Sequence, residues 1–267
     1  AGEIRFDGTF ADADAVSRMT EALAPRGPDG SGVVAQGPVA FGHRRLKIID
    51  LSNKAGQPMV DPDLGLTIVF NGCIYNHPEL RAELEGYGYR FFSTGDTEVI
   101  LKAFHKWGED CVSHFHGMFA FAIYDAKRRE LFLARDRFGV KPLFYVQLSD
   151  GSVAFASELK GLLAHPLMRR EVDPKAVEDY MAWGYVPDHG SILKGVRKLP
   201  AGHTLLLQHD SPLPQPQQYW DISFAQRHKG KAKDLEAELL HHLQQAVASR
   251  MVSDVPLGAF LSGGGDS

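Results

Sequence analysis

The stretch Phe119–Ala134 constrains this chain most. Two apolar runs, Phe119–Tyr124 and Leu131–Ala134, flank the polar hexapeptide Asp125-Ala-Lys-Arg-Arg-Glu130. A connection that short and polar joins neighbouring antiparallel strands, because a parallel crossover needs about a dozen residues or more. A third run, Val153–Ala156, is bounded by glycine and polar residues, and all three suit strands buried on one or both faces. Helical spacing interleaves with them. Val16, Met19 and Leu23 share one stripe of a helix at Ala13–Ala24. Pro78–Gly86 reads the same way, as does Thr97–Trp107, where Val99, Ile100, Ala103 and Phe104 line up. Asp173-Pro174 sets an N-cap before proline at the first helical position and opens a helix to Trp183. Hairpins set among helices predict an α+β architecture rather than a purely parallel sheet.

Composition enters as exclusion. The 267 residues are 44% hydrophobic, enough to bury a real core and too apolar for general disorder. The longest apolar runs are too short to span a bilayer, so no membrane partner is expected. Lys and Arg number 29 against 33 Asp and Glu, a net charge of −4, and no basic surplus calls for nucleic acid. Two cysteines, Cys73 and Cys111, cannot make a disulfide framework, and no secretory leader pattern is visible. A cytoplasmic setting is the expectation.

Texture changes near residue 200. Leu199–Thr204 turns into a strand at Leu205–Gln208, and Ser211–Gln218 is rich in Pro and Gln with little apolar content. A helix is expected from Asp234 to Arg250, with Leu235, Leu239, Leu243 and Val247 on one face. Val255–Leu261 then reads as a short buried strand running into Ser262-Gly263-Gly264-Gly265-Asp266-Ser267. The expected organisation is a domain at 1–210, a linker at 211–233 and the opening of a second domain at 234–267. Glycines and hydroxyls after a strand suit a phosphate cradle, since the backbone approaches closely and N–H groups turn inward. A helix that follows would favour the same anion. No Gly-Lys-Ser/Thr follows, so the loop is not a Walker A motif, and by itself it also reads as a glycine-rich turn.

Several polar clusters stand in the first half. They are Arg26–Gly30, His43–Leu46, Asn71-Gly72, Gly95–Glu98 and Arg135–Leu143. Arginine is the planar partner of a carboxylate, and aspartate balances an ammonium, so such groups suit a free amino acid. Asn71 with the Gly72 N–H would supply two donors to a developing oxyanion. Simpler readings stand beside these. Arg45 also suits a surface ion pair, Asp96 a helix cap, and Asn71-Gly72 a hairpin turn. Asp136, between Arg135 and Arg137, reads as an ion-pair network. His114 and His116 alternate at strand spacing with no metal-ligand pattern around them, and His241 and His242 read as solvent-facing on the late helix. No side-chain metal site is expected.

In order along the chain, Arg-Gly-Pro-Asp (26–29), His-Arg-Arg-Leu (43–46), Asn-Gly-Cys-Ile-Tyr-Asn (71–76), Thr-Gly-Asp-Thr-Glu (94–98), Gly-Met-Phe-Ala-Phe (117–121) and Arg-Asp-Arg-Phe-Gly-Val-Lys-Pro-Leu (135–143) resemble the class II glutamine amidotransferase domain of glutamine-hydrolysing asparagine synthetases. Ser253–Ser267 resembles the pyrophosphate loop of ATP pyrophosphatases, and more narrowly the start of the synthetase domain in that family. His43–Leu51 and Leu23–Gly30 also resemble the N-acetylglutaminylglutamine amidotransferase branch.

The resemblance implies an N-terminal-nucleophile hydrolase fold, a four-layer αββα sandwich, followed by the start of an α/β ATP-pyrophosphatase domain. It assigns Arg45 to the glutamine carboxylate and Asp96 to its ammonium. Leu46, Lys47, Ile48 and Ile49 line the pocket, Asn71 and Gly72 form the oxyanion hole, and Cys73 stands where the family usually has Glu. The nucleophile is the cysteine of an N-terminal Cys-Gly-Ile, with its own α-amine, of pKa near ~8, as base. Ala1-Gly2-Glu3-Ile4 aligns after that start, so the nucleophile is expected upstream of Ala1, and residues 1–267 by themselves are not expected to hydrolyse glutamine. ATP is assigned to Leu261, Ser262, Gly263, Gly264, Gly265, Asp266 and Ser267, with Mg²⁺ on the phosphates. The implied reaction is ATP-dependent transfer of glutamine nitrogen to a carboxylate acceptor, aspartate first, by a homodimer. A dipeptide acceptor and a non-catalytic glutamine-binding regulatory module are the alternatives. Cys73, beside Asn71-Gly72, is a second candidate nucleophile.

Overall fold

The polar hexapeptide closes a hairpin: Asp125 pairs with Glu130, and Arg129 takes a left-handed backbone (φ 56°) to turn the chain. The computed structural model describes residues 1–188, 190–208, 213–225, 230–260 and 263. Within them the strands are β1 (Gly2–Ile4), β2 (Gly30–Gln36), β3 (Val39–Arg45), β4 (Met59–Asp61), β5 (Leu66–Ile74), β6 (Gly117–Asp125), β7 (Glu130–Arg135), β8 (Phe144–Gln147), β9 (Val153–Ala156), β10 (Arg197–Lys198), β11 (His203–Gln208) and β12 (Gln217–Gln218). The α-helices are α1 (Ala13–Ala22), α2 (His77–Gly86), α3 (Asp96–Trp107), α4 (Cys111–His114), α5 (Leu159–Leu163), α6 (Pro174–Trp183) and α7 (Ala232–Ser249). Two antiparallel sheets form, in the orders β10-β8-β9-β1-β3-β2 and β12-β11-β7-β6-β5-β4.

Period-two alternation builds the layers. On β6, Phe119, Phe121 and Ile123 face one core while Ala120, Ala122 and Tyr124 face another. On β7, Phe132 and Ala134 oppose Leu131 and Leu133 in the same manner. The first core is completed by Leu80 and Leu84 of α2 and by Val99, Ile100, Ala103 and Phe104 of α3. The second lies between the sheets, with Phe41 of β3, Tyr145 of β8 and Phe155 of β9 opposite β6 and β7. A third seats Val16 and Met19 of α1 and Leu162 of α5 on Ala40, Ala154 and Ala156. The result is the expected αββα sandwich.

Four expectations are corrected. Asn71-Gly72 is not a turn: it lies inside β5, opposite Ala120 and Phe119. A Cβ on Gly72 would meet the Met118 carbonyl oxygen at 2.1 Å, so the glycine serves close backbone approach. The described part of Val255–Leu261, residues 255–260, has no regular structure, because no strand among the described residues pairs with it. His114 and His116 do not share a strand. Cys111, Val112 and Phe115 bury at helical spacing, so His114 ends α4, stacked on Trp107 at 4.0 Å. Asp136 holds backbone rather than an ion pair, accepting from Phe119 (3.1 Å), Phe138 (3.1 Å), Val140 (2.9 Å) and Lys141 (3.0 Å) N–H groups. Its flanking arginines donate to carbonyls, Arg135 to Lys141 and Leu199 and Arg137 to Phe115, and the ion pair that Arg135 makes is with Asp188 at 3.5 Å rather than with Asp136.

One buried ion cluster braces the sheet that carries β5. Lys102 on α3 pairs with Asp61 at the end of β4 and stands 3.8 Å from Glu98, all three buried. Glu98 also accepts from the N–H groups of Phe92 and Ser93. Lys102→Ala would leave two buried carboxylates without their cation. Chemical unfolding is expected to show a loss of about 3–5 kcal/mol. A change under about 1 kcal/mol would show that water or another cation compensates.

Candidate active site

Strand β5 outruns its neighbour, since β4 pairs only with Leu66–Ile68. The remainder of β5 therefore presents an open edge. Phe119, opposite Gly72, makes both of its backbone bonds toward Asp136, donating N–H at 3.1 Å and accepting at 2.8 Å. Gly72 and Phe119 are thus a non-hydrogen-bonded pair, and the Gly72 N–H points away from β6 to the open edge. Its neighbours on that edge are taken: the Phe70 N–H donates to Gln57 Oε1 (2.7 Å) and the Ile74 N–H to Asp96 Oδ2 (3.0 Å). Gly72 is the middle donor of three, with no side-chain acceptor among the described residues. Asn71 and Cys73 project from the face that carries Val69, toward the space between the sheets.

That edge opens on a pocket of about 350 Å³ whose walls include Arg45, Asn71, Gly72, Cys73 and Asp96. A smaller cavity of about 100 Å³ shares Asn71 and His43 with it and reaches Ala1. Arg45 ends β3 and is buried. Its guanidinium donates to the carbonyls of Ser52 (2.8 Å), Ile49 (3.4 Å) and Asp50, which wraps the loop 46–52 around it. Asp50 adopts a left-handed backbone (φ 50°) at the bend. Burial pushes the Asp50 carboxyl up, but hydrogen bonds from Ser52 (3.0 Å) and Thr94 (2.8 Å) outweigh it and hold the pKa down at about 2. Through Thr94 the loop is tied to the turn that presents Asp96.

Asp96 opens α3, with Gly95 in the N-cap position, and its carboxylate reaches across to β5 instead of capping its own helix. It is 6% exposed, and burial raises its pKa against the opposing Ile74 N–H and His77. A cation entering the pocket would stabilise its ionised form. His43 donates from Nε2 to the Phe70 carbonyl (3.0 Å), and burial lowers its pKa to about 4, so the ring is neutral. Taking that Nε2 as the donor makes Nδ1 an acceptor, and Nδ1 has no partner among the described residues.

Leu46, Ile48 and Ile49 line the pocket with Arg45. Lys47 stands outside that lining; its backbone N–H donates to Asp29 (3.0 Å) and the residue is half-buried. Leu261, Ser262, Gly264, Gly265, Asp266 and Ser267 lie outside the described residues, leaving Gly263 alone of the expected nucleotide loop. Burial, then the charge of Asp96, pushes the Cys73 thiol up to about 12, which keeps it protonated and a poor nucleophile at neutral pH. Cys73→Ser in the full-length protein is expected to keep glutamine turnover within about threefold of wild type. Loss of turnover in a glutamate-release assay would restore Cys73 as a nucleophile. Gln57 and Asp50 escaped sequence reasoning, because their partners Phe70 and Thr94 come from other elements and no local pattern announces them.

Residues 2–220 match the family model described as glutamine amidotransferase domain. The chain belongs to that family. Residues 238–267 match a second model, asparagine synthase, and the chain as a whole has named relatives. It is 41% identical over 255 residues to asparagine synthetase [glutamine-hydrolyzing] 3 of Bacillus subtilis, covering 94% of this chain and 41% of the relative. It is 40% identical over 286 residues to putative asparagine synthetase [glutamine-hydrolyzing] 2 of Methanocaldococcus jannaschii, covering 100% of this chain and 54% of the relative. The chain thus spans about half the length of these relatives or less. Among solved structures it overlays the glutamine phosphoribosylpyrophosphate amidotransferase of B. subtilis with a TM-score of 0.55 at 20% identity, over 78% of this chain and 46% of the other. That likeness bears on the fold.

Proposed function

We propose that residues 1–210 bind glutamine and cleave its side-chain amide, that 211–233 are a linker, and that 234–267 open a domain which activates a carboxylate with ATP. The observation that carries the first part is the free middle donor of β5, Gly72 N–H, set beside Asn71 in a pocket that also holds a buried arginine and a buried aspartate. Glutamine fits with its α-carboxylate at Arg45, its ammonium at Asp96 and its amide carbonyl oxygen between Asn71 and Gly72.

The nucleophile in this reading is the cysteine three positions ahead of Ala1. Gly2 pairs with Phe41 and Glu3 with Ala40, so the same register continued upstream sets that cysteine opposite Arg45. Its α-amine takes the thiol proton and becomes the α-ammonium as the sulfur forms a bond to the amide carbon, and the carbonyl electrons move to the oxygen held by Asn71 and Gly72. The tetrahedral adduct collapses with cleavage of the C–N bond, the nitrogen taking a proton from the cysteine's α-ammonium and leaving as ammonia. Water then hydrolyses the thioester to glutamate. In the second domain a carboxylate, most simply aspartate, attacks ATP and forms an acyl-adenylate with release of pyrophosphate. Ammonia displaces AMP to give the amide. The match of residues 238–267 supports this half, and the proposal places the protein as a cytoplasmic homodimer. Among the described residues no helix is long and apolar enough to cross a membrane, and no cluster of three metal-binding side chains occurs.

The test uses the full-length protein with its encoded flanks. Glutamate, AMP and pyrophosphate should form together when glutamine, ATP and aspartate are supplied. Glutamate formation with no AMP for any carboxylate offered would remove the synthetase half.

A further inference from the structure

Part of the wall of the proposed glutamine pocket comes from beyond residue 233. Val252, Ser253 and Leu257, just past the end of α7, line the same cavity as Arg45 and Asp96. Arg250 sets its guanidinium 5.3 Å over the ring of Tyr75, which follows β5. Asp254 makes the closest junction. Its Oδ2 accepts the Asp50 N–H at 2.7 Å, and its own N–H donates to the Ile48 carbonyl at 2.9 Å. Asp254 therefore grips both ends of the turn that supplies the Asp50 carbonyl to Arg45.

We propose that Asp254 is a positioning residue for glutamine use: its two hydrogen bonds to the Ile48–Asp50 turn hold the loop around Arg45 in its glutamine-binding shape and make the nucleotide-side segment part of the pocket. The proposal rests on the glutamine reading of that pocket. The turn is strained at Asp50, whose left-handed backbone needs outside support, and the supports are few. Arg45 holds its carbonyl, Thr94 and Ser52 hold its carboxylate, and its N–H has Asp254. Removing the Asp254 carboxylate frees the one group of Asp50 that no amidotransferase-domain residue holds. The two sites of the enzyme would thereby share a mechanical element, since Asp254 stands on the segment that leads into the expected nucleotide loop.

The experiment compares wild type, Asp254→Ala and Asp254→Asn as full-length proteins. Three readouts are taken: glutamate release as a function of glutamine, pyrophosphate release driven by free ammonia, and hydrogen exchange of the 46–52 backbone. Asp254→Ala is expected to raise KM for glutamine about tenfold, with kcat and the ammonia-driven rate within about twofold of wild type. Exchange at Asp50 should accelerate about tenfold or more. Asp254→Asn keeps an acceptor oxygen and should restore most of the glutamine affinity. An unchanged glutamine KM and unchanged exchange in Asp254→Ala would overturn the proposal. So would an equal fall in the ammonia-driven reaction, which marks a general structural role. Wild type that releases no glutamate would instead defeat the glutamine reading itself, and this proposal with it.

Discussion

Arg45→Ala is expected to reduce kcat/KM for glutamine about 10³-fold in the full-length protein, leaving the ammonia-driven reaction within about threefold. Two losses combine. Among the described residues the side chain is the only buried guanidinium on the pocket wall, and it is the partner proposed for the substrate carboxylate. It also donates to Ser52, Ile49 and Asp50, so its removal releases the loop that shapes the site. A charge-assisted hydrogen bond is worth about 1.5–3 kcal/mol, and two such losses amount to roughly 4 kcal/mol, or about three decades. Arg45→Lys should recover little, because one ammonium cannot serve the Ser52 and Asp50 carbonyls and a carboxylate at once. Steady-state glutamate release at varied glutamine checks both. Near-wild-type behaviour of Arg45→Lys would show that the site needs only a positive charge.

Asn71→Ala should act on kcat. If its amide faces the developing oxyanion, kcat falls about 10²–10³-fold while KM stays within about threefold, since the interaction strengthens in the transition state. A change in KM alone would place Asn71 in ground-state binding. Gly72 cannot be probed in the same way. A Cβ there would meet the Met118 oxygen at 2.1 Å and the Phe119 Cα at 2.8 Å, so Gly72→Ala reports on β5–β6 packing before it reports on catalysis.

The sandwich was legible where periodicity is strong. The Phe119–Ala134 hairpin, Val153–Ala156, and the helices at Thr97–Trp107 and Pro174–Trp183 follow from apolar spacing, a polar connection and an Asp-Pro cap, all local signals. Asn71-Gly72 was misleading for a physical reason. The dipeptide is a strong turn signal by itself, but here glycine answers to the backbone of β6, and that demand is invisible within β5. Asp136 was similarly misleading, since two flanking arginines suggest ion pairs while the surrounding loop offers its N–H groups instead. The glutamine-site residues were assigned through family resemblance, and the structure brings Arg45, Asn71, Gly72 and Asp96 to one pocket. The supports of that pocket had no sequence signature. Gln57 reaches Phe70 across a strand edge, and Asp254 reaches Asp50 over a separation of 204 residues.

The central claim is that this pocket breaks the side-chain amide of glutamine. The fate of the amide nitrogen tests it most directly. Full-length protein given glutamine labelled with ¹⁵N at the amide should release one labelled nitrogen, as ammonia or in the amidated product, for each glutamate formed, and Asp96→Asn should suppress both together. Glutamine that binds at Arg45 and Asp96 yet keeps its labelled amide through prolonged incubation, with ATP and acceptor present, would contradict the account and leave a glutamine-binding module in its place.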